Sequence, residues 1–130
     1  MTPLAAWHDI ARTRDLATLR DLIDPDAVFE SPVVHRPQVG RDLVVAYLAG
    51  AMMGLGGPAF RYTGEWTSDT GAVLEFETVI EGITINGVDI LRFTPDGKRI
   101  AHFKVMIRPL KAIELVHRLM GEALASPRPR

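Results

Sequence analysis

Between residues 60 and 109 the chain spells four β runs: FRYTGEWTSD (60–69), AVLEFETVIEG (72–82), ITINGVDILRFT (83–94) and KRIAHFKVMIRP (98–109). The links are too short for a crossover. Asp69-Thr70-Gly71, the Gly82 region and Pro95-Asp96-Gly97 are turn chemistry, so consecutive runs must pair antiparallel as a meander. Period-two alternation then assigns faces. Leu74, Phe76, Thr78 and Ile80 share one face of the second run, and Val73, Glu75, Glu77, Val79 and Glu81 share the other. In the third run Asp89 shares a face with Leu91 and Phe93. An unpaired carboxylate in such a setting costs several kcal/mol or takes up a proton. Asp89 is therefore expected to line a pocket. In the fourth run Ile100, His102, Lys104, Met106 and Arg108 compete with Ala101, Phe103, Val105 and Ile107. Periodicity alone buries the second set and leaves His102 and Lys104 in solvent.

Helices precede the sheet. TPLAAWHDIARTRDLATLRDLID has apolar residues at 4, 7, 10, 16, 19, 22 and 23, the spacing of one helical face. Thr2-Pro3 is a start signal, and a break near Arg14–Asp15 lets Asp15 cap a second helix. Asp24-Pro25-Asp26 reads as a stop, AVFES as a short strand and VVHRPQVG as a loop. RDLVVAYLAGAMMGL (41–55) reads as a helix with Leu43, Val44, Tyr47, Leu48, Ala51 and Met52 in its core stripe. PLKAIELVHRLMGEAL predicts a final amphipathic helix. Helices followed by strands make an α+β domain over 1–124, with 125–130 expected as a disordered tail.

Fifteen basic and sixteen acidic residues leave the chain near neutral, which argues against nucleic acid or an anionic membrane as a partner. No apolar run approaches the about 20 residues of a membrane span. The absence of cysteine excludes disulfide and thiolate chemistry and suits a reducing cytoplasm. No histidine pair has metal-ligand spacing beside a carboxylate, and no glycine-rich loop follows a strand, so neither metal nor cofactor is expected.

DPDAVFESPVVHRPQVGRDLVVAYL and VDILRFTPDGKRIAHFKVM resemble the nuclear transport factor 2-like superfamily, the cone-shaped fold that also holds ketosteroid isomerase and SnoaL-like polyketide cyclases. The resemblance implies a curved antiparallel sheet wrapped around N-terminal helices, here with an extra C-terminal helix. It places the isomerase's general base on Ser31, its oxyanion-hole tyrosine on Trp7, its supporting tyrosines on Ile23 and Leu48, and its protonated oxyanion-hole acid on Asp89. It also turns His102, Lys104 and Met106 toward the cavity, against periodicity. Phe103, Val105 and Ile107 would then line an outer face that in relatives is commonly a homodimer interface.

The resulting candidate site has Asp89, His102 and Lys104 as catalytic groups, with Trp7, Phe29, Ser31, Leu48, Leu74, Phe76, Thr78 and Met106 around a ligand. Glu30 is a substitute base if the strand end twists, and faces water otherwise. His35 lies in a loop that rims such cavities or is simply exposed. The expected function is binding of a small apolar molecule with a carbonyl or carboxylate, extending to isomerase- or cyclase-type proton transfer next to a carbonyl. Steroid isomerisation itself is disfavoured by Ser31 and Trp7. The alternative is a non-catalytic dimeric interaction domain with a vestigial cavity, docking through the outer face and the last helix. An open interior separates the first reading from the second.

Overall fold

A computed structural model describes residues 1–125. Helix α1 (Pro3–Thr13) starts where Thr2 Oγ1 accepts from the Ala5 amide at 3.1 Å and ends where Arg14 turns left-handed at φ 60°. Asp15 then caps α2 (Leu16–Leu22) by accepting from the amides of Ala17 and Thr18. The expected break is thus in place.

Strand β1 (Ile23–Glu30) begins earlier than AVFES, so the expected stop at 24–26 lies inside the strand. The pairing of β1 with its neighbour shifts between Ile23 and Val28. A bulge there lets Pro25 sit in a strand without owing the ladder a donor. A short β2 (Gln38–Val39) follows, within the segment expected as loop. Helix α3 (Arg41–Leu55) buries Val44, Leu48 and Leu55, while Leu43, expected in the core stripe, is 41% exposed. The rest of the expected stripe stands, with Val44 and Leu48 buried and Tyr47 and Met52 packed against the core.

Strands β3 (Arg61–Thr67), β4 (Gly71–Ile80), β5 (Ile83–Phe93) and β6 (Ile100–Arg108) form the antiparallel meander. Glu81 and Gly82, at φ 51° and 76°, make the two-residue turn between Ile80 and Ile83. Positive φ at both centres matches the twist of the flanking strands. The whole sheet has six strands in the order β2-β1-β6-β5-β4-β3 and is curved. It is mixed, because β1 runs parallel to β6. Helix α4 (Leu110–Ala125) packs on α3, β5 and β6 through Ala112, Leu115 and Val116. Ala125 closes that helix, and positions 126–130 of the expected tail lie outside the described residues.

Register decides the faces. Leu74 pairs with Asp89 and Asp89 with Val105, while Leu91 pairs with Phe103 and Gly87 with Ile107. Directly opposed residues of an antiparallel pair share a face. Phe103, Val105 and Ile107 therefore look inward with Asp89. Ile90 opposes Lys104, Arg92 opposes His102 and Val88 opposes Met106, on the outer face. This corrects the orientation that the resemblance implied for β6; the bare alternation had it right.

Candidate functional site

The concave side of the sheet, α1, α3 and α4 enclose a cavity of about 80 Å³. That is room for several waters. Its wall is aromatic and aliphatic. Trp7 meets Phe103 edge-on with ring centroids 4.9 Å apart, and Phe60 stacks on Phe76 at 5.4 Å. Phe60 also meets Tyr62 edge-on at 5.2 Å, so the Tyr62 ring is held between packed neighbours.

The only carboxyl among the described residues on this wall is that of Asp89. It is 6% exposed and accepts a hydrogen bond at Oδ2 from the Tyr62 hydroxyl at 2.7 Å. Tyr62 in turn accepts from Trp7 Nε1 at 3.0 Å. Asp89 Oδ1 makes no hydrogen bond with any described residue, which leaves it for a cavity occupant. Burial pushes the Asp89 carboxyl up to about 7, against the opposing pull of the Tyr62 hydrogen bond. Burial, with the Asp89 charge behind it, pushes the Tyr62 phenol above its ordinary value, so it stays a donor. A carboxyl poised near neutral pH in an apolar site can both give and take a proton. A hydrogen-bonded contact between His8 and Glu65 at 2.7 Å ties α1 to β3, keeping Trp7 over Tyr62.

Of the residues expected to surround a ligand, Trp7, Phe29, Ser31, Leu48 and Phe76 line the cavity with Asp89. Leu74 and Thr78 are buried but do not reach it. His102, Lys104 and Met106 do not reach it either, because they stand on the convex face. The cavity cluster of Asp89, His102 and Lys104 therefore does not form. His102 Nε2 instead meets Glu30 Oε2 at 2.8 Å and Lys104 Nζ meets the same oxygen at 3.5 Å. These side chains are 22%, 31% and 32% exposed for His102, Glu30 and Lys104. Glu30, Lys104, Met106 and His35 border a second, more open hollow of about 330 Å³. Ser31 Oγ accepts from the Val33 amide at 3.0 Å.

Sequence reasoning missed Tyr62. It lies in the first β run, two residues from Phe60, and that parity puts both on one face, which in the structure lines the cavity. Arg14 was also missed as a lining residue. No group of three or more His, Asp or Glu side chains placed to hold a metal occurs among the described residues. No helix among them is long and apolar enough to cross a membrane.

The model of the SnoaL-like domain matches residues 4–103. A solved structure of a steroid delta-isomerase from Pseudomonas aeruginosa is 36% identical, with 95% of this chain and 89% of that one covered and a TM-score of 0.88. An uncharacterised protein with a cystatin-like fold from Silicibacter pomeroyi is 24% identical over 92% of this chain and 83% of that one, with a TM-score of 0.84. A nuclear transport factor 2-like protein of unknown function from Mesorhizobium loti is 18% identical over 82% of this chain and 88% of that one, at 0.70. No curated protein matches the chain.

Proposed function

The chain belongs to the SnoaL-like domain family, and on that premise we propose that it binds a small, largely apolar molecule bearing a carbonyl and moves a proton on the carbon beside it. The observation that carries this reading is the Asp89 carboxyl, buried on an otherwise apolar wall, with one oxygen held by Tyr62 and the other free toward the cavity.

The ionised carboxyl takes a proton from the carbon next to the carbonyl. The electron pair of that C–H bond enters the enolate. Return of the proton to another carbon of the conjugated system gives the isomer, with atoms and charge balanced and no co-reactant. Since Ser31 stands where the resemblance puts a dedicated base, Asp89 serves both halves of the transfer. Similarity to a protein described as a steroid delta-isomerase supports this class of chemistry, and Ser31 argues against an identical mechanism.

The test is incubation with β,γ-unsaturated cyclic ketones, following the conjugated isomer by ultraviolet absorbance and exchange of the proton beside the carbonyl for deuterium by NMR. Turnover that disappears in Asp89→Asn is expected. Binding without exchange would leave a carrier; neither binding nor exchange would refute the reading.

A homodimer is proposed on new grounds, since Phe103, Val105 and Ile107 face inward. The convex face exposes Trp66 and Met106 at 59% and 51%, beside half-buried Val73, Val88 and Ile90. Sedimentation of wild type and Trp66→Glu reads this directly: dimer against monomer is expected. The cysteine-free composition supports a cytoplasmic location.

A further inference from the structure

Besides Asp89, one charged residue among the described residues lines the cavity: Arg14. It is solvent-exposed as well, so it stands where the cavity opens. Its guanidinium has no hydrogen-bond or ion-pair partner among the described residues. Nη2 lies 3.0 Å from where a Cβ on Gly56 would stand, so the glycine clears its path across the end of α3. The backbone at Arg14 is unusual too. It caps α1 at φ 60°, ψ 32°, with its N–H bonded to the Ile10 carbonyl at 2.7 Å. That left-handed position is ordinarily given to glycine or asparagine, because a side chain there is strained. A local rule broken at a cavity mouth marks a functional position. Nor does Arg14 serve the acid inside: burial and Tyr62 are the influences on the Asp89 carboxyl, and Arg14 is not among them.

Resting on the reading that the cavity binds a carbonyl compound at Asp89, we propose that Arg14 holds a carboxylate of that ligand at the cavity mouth. The ligand class is then an apolar oxo-acid, its carbonyl inside and its carboxylate outside. A single planar guanidinium suits one carboxylate, which it can grip with two parallel hydrogen bonds. No second basic residue among the described residues lines the cavity, so a more highly charged phosphate is a poorer match. The structural alternative is that Arg14 merely favours the negative C-terminal end of α3.

The experiment is calorimetric titration of ω-benzoylalkanoates of increasing chain length, each against its methyl ester, with wild type, Arg14→Gly and Arg14→Lys. At least one chain length is expected to bind about tenfold more tightly as the acid than as the ester, a preference that shrinks with salt. Arg14→Gly is expected to melt no lower than wild type, since it relieves the left-handed backbone, and to bind acid and ester with equal affinity. Arg14→Lys is expected to retain only part of the acid preference. Ester binding with no acid preference in wild type, or a preference that survives Arg14→Gly, overturns the role of Arg14 and leaves the cavity reading standing. A lowered melting temperature in Arg14→Gly with binding intact assigns the residue to structure. Binding of neither acids nor esters overturns both proposals.

Discussion

Tyr62 donates its phenolic proton to Oδ2 of Asp89 at 2.7 Å, joining β3 to β5 across the cavity wall. The bond does two things. It satisfies one oxygen of a carboxyl that burial would otherwise leave bare, and it holds that carboxyl in the cavity wall. Trp7, reaching from α1, closes the chain of donors at 3.0 Å. Three elements far apart in sequence thus fix one titratable group.

Replacing Tyr62 by Phe removes the donor and leaves two buried partners unsatisfied, Asp89 Oδ2 and Trp7 Nε1. A loss of about 1–3 kcal/mol is expected in urea unfolding at neutral pH. A neutral result would show that water replaces the hydroxyl.

Stability should fall as pH rises through the neutral range because of Asp89. Its folded value of about 7 exceeds the ordinary 3.8. A raised acid stabilises the fold fully below the unfolded value and loses that contribution as pH rises through the folded one. The displacement corresponds to up to about 4 kcal/mol. Unfolding of wild type and Asp89→Asn at pH 4.5 and 8 isolates it: the variant gains on wild type at the higher pH. An equal difference at both pH values would mean that Asp89 titrates normally.

His102→Ala and Lys104→Ala should leave ligand binding and any proton exchange unchanged, since both side chains pair with Glu30 on the convex face. Pairs of partly exposed side chains of this kind contribute about 1 kcal/mol or less. A large loss of exchange in either variant would restore them to the active cavity.

Gly87→Ala should narrow the cavity and destabilise the fold by about 1–3 kcal/mol. A Cβ there comes within 2.5 Å of the Met106 carbonyl oxygen and 2.6 Å of the Phe76 ring, which forms part of the wall. Unfolding and ligand titration read the two effects separately.

The meander was legible because each link is short turn chemistry, and the split between α1 and α2 because Asp15 is a strong cap. Asp89 was legible because one acid broke an apolar face. The parallel pairing of β1 on β6 carried no local signal, since it joins segments far apart in sequence. His102 and Lys104 were misplaced by following the resemblance over alternation; the register of β5 on β6 decides it, with Asp89 opposite Val105 and not Lys104. Tyr62 and Arg14 went unread for a different reason. A tyrosine in an ordinary strand and an arginine at a helix end look unremarkable until the third dimension brings them to the same hollow.

The most direct measurement is a carbon-13 NMR titration of the Asp89 side-chain carboxyl, assigned by loss of its signal in Asp89→Asn. A midpoint near 7, moving upward in Tyr62→Phe as the lowering hydrogen bond is lost, is the expected result. A midpoint near 4, unchanged by Tyr62→Phe, would contradict a buried, proton-exchanging carboxyl.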